Sequence, residues 1–402
     1  MGDRRGETTR WLRAAAFDEF VEVGPRAISL VAVSRRGHYS VGAVAQRWPT
    51  ARDLIHDVAA NEVLPRVRSL AHAAPESGLG SWIDYCLTDS SNSRTIRSVA
   101  ELLFAARDDS ELTCMAEAAI ADLRASVPVM SDRTDRMSGL TWWATALALG
   151  EALLTHSGCD IPPLGSGVDQ LATVLIARAD ARSFPPAPAE SGAVMITDPQ
   201  PTPPLASDAT GQALIDAGRS IIVTSGVERA TTREITSEAG VTTGALYRRY
   251  PDRDTLMRDI FSAELTPERY AWSAELVDAI ACDPNFDRAT NLLVAITRRL
   301  WEDSDTAHVL LELSMTAHES PTVRAVICTE VNRAQQARQE LFTSIVAAEL
   351  ATIDLDPELL SWLFQVVPTG ARLLASLGIV PSNDELTAVL GLFPLIFAQP
   401  AN

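Results

Sequence analysis

The stretch that decides the fold is Thr231 to Leu256, TTREITSEAGVTTGALYRRYPDRDTL. Thr231 and Glu234 stand as T-x-x-E, the pattern of a capping box, so a helix is predicted to start there, with Ile235 and Ala239 forming an apolar stripe at i and i+4. Gly240 is placed to end that helix, because glycine takes the left-handed conformation that lets a chain leave one helix and enter the next within a few residues. Thr242 then caps a second short helix, Gly244-Ala245 keep its leading face thin, Leu246 points inward, and Tyr247, Arg248 and Arg249 project. Two short helices around a tight turn, followed by a third helix, make a helix-turn-helix layout.

The run A-G-V-T-T-G-A-L-Y-x-x-Y-P-x-R-x-x-L within this stretch resembles the DNA-binding domain of the tetracycline-repressor (TetR) family of bacterial regulators, and Ala213 to Gly226 resembles that family's first helix. The resemblance implies that Thr242, Thr243 and Gly244 face base edges and that Tyr247 holds phosphate. It further implies that Arg249 adds a charged phosphate contact and that Arg253 grips the backbone from a following helix capped by Asp252. Thr231, Arg233 and Arg248 complete the expected DNA-facing set.

The chain also repeats itself. An offset of 202 carries Leu12 onto Leu214, Ala15 onto Ala217, Gly24 onto Gly226, Val33 onto Ile235, Gly42-Ala43 onto Gly244-Ala245, Arg47 onto Arg249, Trp48-Pro49 onto Tyr250-Pro251 and Leu54 onto Leu256. Further on the offset grows to 211, where Glu101-Leu102 meets Glu312-Leu313, and to 220, where Trp142 meets Trp362 and Gly150 meets Gly370. An ordered series with a growing offset is the signature of a tandem duplication whose loops lengthened. The first copy departs from the family pattern: His38 takes the place of the turn glycine, Ala45 that of the tyrosine and Ala51 that of the cation. Ser40, Val41, Gly42 and Arg47 keep their stations. Val41 fits a thymine methyl but cannot read guanine, so a weaker or different sequence preference is expected of this copy.

The 402 residues suit two units of about 200, each large enough for its own core. Ser183 to Asp208, SFPPAPAESGAVMITDPQPTPPLASD, reads as a proline-rich linker that reaches on the order of 70 Å if mostly extended. The expected layout is a degenerate helix-turn-helix domain over 1–65, a helical regulatory domain over 66–182, the linker over 183–208, a second helix-turn-helix domain over 209–265 and a second regulatory domain over 266–402. Runs such as Val99-Leu102-Leu103-Ala106 and Leu292-Leu293-Ile296-Leu300 keep helical spacing with no alternating strand, so the fold class is all-α.

In the family, the helices beyond the DNA-binding domain enclose a small ligand and pair two subunits, and ligand binding there lowers operator affinity. This implies an intramolecular pseudo-dimer, a small-molecule effector and a double-stranded DNA operator that is asymmetric because the two readers differ. Aromatic and Met residues that could line such a pocket are Trp82, Phe104, Met115, Trp142 and Trp143 in the first copy, and Trp301, Met315, Phe342, Trp362 and Phe364 in the second. Core packing uses the same residue types at the same spacing.

Charge is the objection to DNA binding: the net charge is -18, and phosphate neutralisation supplies most nonspecific affinity. Its distribution is uneven, since Ser29 to Arg52 holds Arg35, Arg36, Arg47 and Arg52 with no acid, and Arg4, Arg5, Arg10 and Arg13 precede it. The second reader's Arg233, Arg248, Arg249, Arg253 and Arg258 are partly offset by Glu234, Glu238, Asp252 and Asp254. Every fixed side-chain cation is Arg; the sequence has no lysine. Acidity and the eroded first reader leave open an alternative, a ligand-binding or protein-interaction scaffold that has lost DNA binding.

No G-x-S-x-G, G-x-x-x-x-G-K or H-E-x-x-H motif and no acid/base pair is present, so neither an enzyme nor a cofactor is expected. Cys86, Cys114, Cys159, Cys282 and Cys328 show no C-x-x-C pairing and read as small hydrophobes. His308, His318 and Cys328 are ten residues apart, which does not bring them to one helix turn, so no metal set is read. The apolar run Leu386 to Ala398 is too short to span a bilayer and contains Pro394. With no secretory leader or acylation signal at the start, the expected location is cytoplasmic.

Overall fold

The computed structural model describes residues 4–75, 78–128, 134–165, 167–170, 208–264, 304–317, 320–347, 356–390 and scattered positions between 279 and 298. Apart from Asp208 the linker lies outside the described residues, as do Trp301, His318 and Cys282. The described residues form helices and no strand. The first half starts with α1 (Arg4–Ala27), α2 (Leu30–Gly37), α3 (Val41–Ala45) and α4 (Ala51–Val58). A π-helical turn over Ala59–Val63 runs α4 into α5 (Leu64–Ala73), followed by α6 (Leu79–Leu87), α7 (Ser90–Ala105), α8 (Ser110–Ala125) and α9 (Thr134–His156). The second half holds α10 (Ala209–Ser225), α11 (Thr232–Glu238), α12 (Thr243–Tyr247) and α13 (Arg253–Glu264), then α14 (Ser304–Thr316), α15 (Pro321–Ala347), α16 (Pro357–Ala375) and α17 (Asn383–Leu390).

Helix starts follow from capping side chains. Ser29, Ser40, Asp89, Asp109, Asp208, Thr231, Thr242 and Asp356 each accept a backbone N–H from the first turn of the helix they precede. At Thr231 only the forward half of the predicted capping box forms: Glu234 N–H donates to Thr231 Oγ1 at 3.2 Å, while the Glu234 carboxylate turns to the threonine hydroxyl at 3.3 Å. The reciprocal box appears instead at Thr50 and Asp53, at the start of α4.

Positions related by the 202 offset adopt like conformations. Gly24, at a kink inside α1, has φ 80 and ψ 164, and Gly226, just past the end of α10, has φ 81 and ψ 164, so both halves break helical geometry at this position with the same positive φ. The heads close over equivalent cores, with Leu12, Val33, Val44 and Leu54 fully buried in the first and Leu214, Ile235, Leu246 and Leu256 in the second. Trp48 and Tyr250 are also buried at matching places. Burying each such aliphatic side chain contributes about 1.5 to 3 kcal/mol.

The two halves meet where α9 crosses α16. A Cβ added to Gly150 would lie 2.0 Å from the Val366 carbonyl oxygen, and one added to Gly370 would lie 1.8 Å from that of Ala146. Only glycine allows this approach. The contact is reciprocal, because Ala146 and Val366, like Gly150 and Gly370, are related by the 220 offset. Trp142, Trp143 and Phe364 line a cavity of about 50 Å³ on this seam, together with residues of α17. Trp82, Phe104, Met315, Phe342 and Trp362 are buried in the core, and Met115 packs against it. Further along, Ser157 Oγ donates to the Ser314 carbonyl at 3.0 Å, and the Cys159 and Cys328 sulfurs lie 3.9 Å apart.

Candidate nucleic-acid interface

The second head presents its short helix α12 at the surface. Thr242 Oγ1 accepts the Ala245 N–H at 3.2 Å and fixes where that helix begins, while the wholly buried Leu246 pins its underside. Gly240, with φ 65 and nothing within 4 Å of an added Cβ, forms the turn. Thr242, Thr243, Gly244 and Arg248 are exposed, as is Arg233 on α11, and Tyr247 is 52% exposed. The face therefore offers hydroxyls, a phenol and guanidinium groups on a thin, rigid helix, a chemistry suited to phosphate and base-edge contact.

Two expected contacts are engaged elsewhere. Arg249 is ion-paired with Asp208, the capping residue of α10, which raises the guanidinium pKa and lowers that of Asp208. Arg253 donates to the Val227 carbonyl at 2.6 Å and the Ala230 carbonyl at 3.0 Å, tying down the loop after Gly226. Asp252 accepts from the Thr255 N–H at 2.7 Å as the expected cap, and these bonds from Thr255 hold its carboxyl below the ordinary value.

In the first head the turn is made by His38 with φ 57 and ψ 38, so a side chain other than glycine holds the left-handed conformation. Ser40 caps α3 through the Ala43 N–H at 3.2 Å, with Val41 and Gly42 exposed after it. The arginine-rich window is neutralised only in part, since Arg35 stays exposed. Arg36 pairs with Glu19 at 2.7 Å and Glu22 at 2.5 Å, Arg52 with Asp109 at 2.8 Å, and Arg13 with Asp57 at 2.6 Å. Arg47 donates to the Thr9 hydroxyl at 3.1 Å and the Ala43 carbonyl at 2.8 Å. The hydrogen bond from Arg52 is the chief reason the Asp109 carboxyl sits well below the ordinary carboxylate range.

Below the heads lies a junction that motif reading does not reach. Glu312 on α14 is fully buried beneath Gly226 and accepts the Val227 N–H at 3.1 Å. Arg26, from the end of α1 in the other half, donates to both of its oxygens at 2.8 and 2.7 Å and lies 4.3 Å over the Phe104 ring. Arg107 reaches Glu312 at 3.4 Å and also donates to His308. Burial alone would raise the Glu312 pKa, but His308, Arg26 and the Val227 N–H bring it below the ordinary value. Glu101 lies beneath Gly24 in the same way and pairs with the buried Arg97. The 211 offset places Glu101 on Glu312 inside apolar helical runs, and that pairing is the available sign of a buried acid.

A cavity of about 500 Å³ opens between α1, α6, α7 and α9. None of the aromatic or Met residues expected to line a pocket borders it; its wall includes Glu22, Asp84, Arg94, Arg97, Glu151 and His156. No group of His, Cys, Asp and Glu among the described residues could hold a metal ion, and no described helix is long and apolar enough to cross a membrane.

Residues 214–260, which span α10 to the middle of α13, match the family model of bacterial regulatory proteins, tetR family. No curated protein matches the chain. Among solved structures, a TetR-family transcriptional regulator from Rhodococcus sp. aligns at 16% identity with a TM-score of 0.39, over 47% of this chain and 98% of that one. The exposed, capped helix α12 lies inside the segment that is similar to the tetR family of bacterial regulatory proteins.

Proposed function

We propose that the chain is a TetR-type transcriptional repressor whose two halves are duplicated TetR-like units packed as an intramolecular pseudo-dimer, with operator binding tuned by a small molecule. The observation that carries this reading is the presentation of Thr242, Thr243 and Tyr247 on a helix fixed by its own cap, within the segment that matches the family. Duplication is supported by the matching dihedrals at Gly24 and Gly226, by the equivalent burial of Glu101 and Glu312, and by the reciprocal approach of Gly150 and Gly370. A linker of the length between the halves gives an effective concentration near the millimolar range, which favours internal pairing. The cavity beneath α1 supplies room for an effector next to the first head. Because α3 and α12 present different side chains, the preferred operator is asymmetric, and the second head is the main reader.

The test is a nuclease footprint of the full chain on the DNA flanking its own gene, at two salt concentrations. Two unlike protected half-sites about one helical turn apart support two active readers. Protection of one half-site assigns reading to Thr242 through Arg248 alone, and tightest binding to a perfect palindrome removes the asymmetric reading. The second reading, a ligand-binding or interaction scaffold without DNA binding, is favoured by the net charge of -18 and by the ion pairs that hold Arg36 and Arg52 of the first head. It requires that no protection appear even at low salt, whereas DNA binding that weakens steeply with salt excludes it.

A further inference from the structure

The cavity between α1, α6, α7 and α9 has the size of a small-molecule site and a wall of uneven charge. Its apolar part comes from Val21, Ile83, Leu87, Ala152, Ile161 and Pro163. At one rim the charges are already matched: Arg94 pairs with Asp18 at 2.5 Å and Glu22 at 3.7 Å, and Glu22 also holds Arg36. Arg97, only 5% exposed, spends one guanidinium nitrogen on Glu101, while its Nε and Nη1 are buried without an acceptor. The carboxylate side is different. Glu151 Oε2 is buried with no donor, Asp84 shares the wall, and no ion pair with a described residue balances either carboxylate. Burial of unbalanced carboxylates is costly unless a cation or a proton arrives.

We infer that this cavity binds an organic amine, with its ammonium group between Asp84 and Glu151 and its apolar body against the α6 and α9 aliphatics. The inference rests on the reading of the chain as a ligand-tuned regulator and names the ligand class. An anion is disfavoured because Arg97 already faces Glu101, so its charge is neutralised and only hydrogen-bond donors remain to offer. Burial and then the nearby Asp84 push the Glu151 carboxyl up to about 7, as expected where a cation beside it would be favoured. His156 also lines the cavity from α9 and faces the same space. Glu22 and Val21 belong to α1, so an occupant touches the helix that carries the first head.

The probe is tryptamine, with indole-3-propionate as an acid of similar shape, titrated into the full chain by calorimetry at pH 7. Tryptamine is expected to bind at least tenfold tighter than indole-3-propionate and to release a proton from Glu151, seen as heat that varies with the buffer's ionisation enthalpy. Glu151→Gln and Asp84→Asn are each expected to weaken tryptamine at least tenfold while the unfolding midpoint is kept. Equal or tighter binding of the acid, binding of neither probe, or tryptamine affinity that survives both substitutions overturns the inference. Footprints with and without tryptamine separate the two claims: binding that leaves DNA protection unchanged keeps the amine site and removes its regulatory role.

Discussion

The two heads share a backbone and differ in what they leave free. In both, a glycine of positive φ breaks the helical geometry at the end of the first helix or within its last turn, a hydroxyl residue caps the surface helix, and an aromatic-proline pair closes the core. The second head places Thr243 and Tyr247 on the exposed face, where the first has Val41 and Ala45. The second also keeps Arg233 and Arg248 at the surface, whereas the first keeps Arg35 there and engages Arg36 and Arg52 with acids from α1 and from the start of α8. On the proposed function, the fold of the first head is kept while its contact chemistry differs, because core positions and exposed positions do not coincide on so short a helix.

The largest expected effect comes from the junction both heads share. Glu312→Ala strands Arg26 and the Val227 N–H, and loss of a buried ion-pair partner costs about 3 to 5 kcal/mol; the lower end is expected because Arg26 is partly exposed. Denaturant unfolding measures that loss, and footprints should weaken at both half-sites, since Arg26 belongs to the first head and Val227 to the second. Glu101→Ala should act on the first head alone. The sign with pH follows from the lowered Glu312 value: its stabilisation is fully present above the ordinary carboxyl pKa of 4.5 and is lost as pH falls through the folded value. A Glu312→Gln chain that keeps the same acid limb would disprove this role.

Next in size is the contrast in DNA affinity. Tyr247→Ala or Thr243→Ala should each lower affinity by about 1 to 3 kcal/mol, roughly 5- to 150-fold, in fluorescence anisotropy at fixed salt. Val41→Ala should change it only slightly. Equal losses from the two heads would mean that the first reads DNA as strongly as the second.

What is legible in the sequence is local. The caps, turn glycine and buried Leu246 of the second head lie within thirty residues of one another, so their spacing alone carries the geometry. The offset series works for the same reason, since each pair reflects one helix position. Charge is harder. The window from Ser29 to Arg52 contains no acid, yet Arg36 finds Glu19 and Glu22 one helix earlier, and Arg52 finds Asp109 far along the chain. Counting charge in a window cannot see a carboxylate delivered by another helix. The cavity is hidden likewise, because four helices supply its wall and its distinguishing residues are charged rather than aromatic.

A smaller effect separates the two turns. At Gly240 an added Cβ meets nothing within 4 Å, so Gly240→Ala sets the strain of a left-handed alanine, about 1 to 2 kcal/mol, against a smaller gain from the less free unfolded chain, a net loss of about 0.5 to 1 kcal/mol. His38→Gly relieves a similar strain in the first head, but the glycine gains about 0.5 to 1 kcal/mol of unfolded-state freedom. The two terms nearly cancel, so its unfolding midpoint should stay close to that of the unaltered chain. A large stabilisation by His38→Gly would show that the first turn is held under more strain than its dihedrals indicate.

The smallest expected change is also the most direct test of why the heads differ. Ala45→Tyr with Val41→Thr gives the first head the side chains that stand at the same stations in the second, on a helix already capped by Ser40 and pinned by the buried Val44. Both stations lie on the accessible side of α3, so the fold should accept the pair with little loss of stability. If missing contacts are the whole deficit, affinity at the first half-site should rise severalfold and the salt slope should stay almost fixed, because hydroxyl and phenol groups add no charge. If the ion pairs on Arg36 and Arg52 are the deeper cause, the restored side chains gain nothing, and only a change such as Glu22→Gln, which frees part of Arg36, should increase both affinity and salt slope.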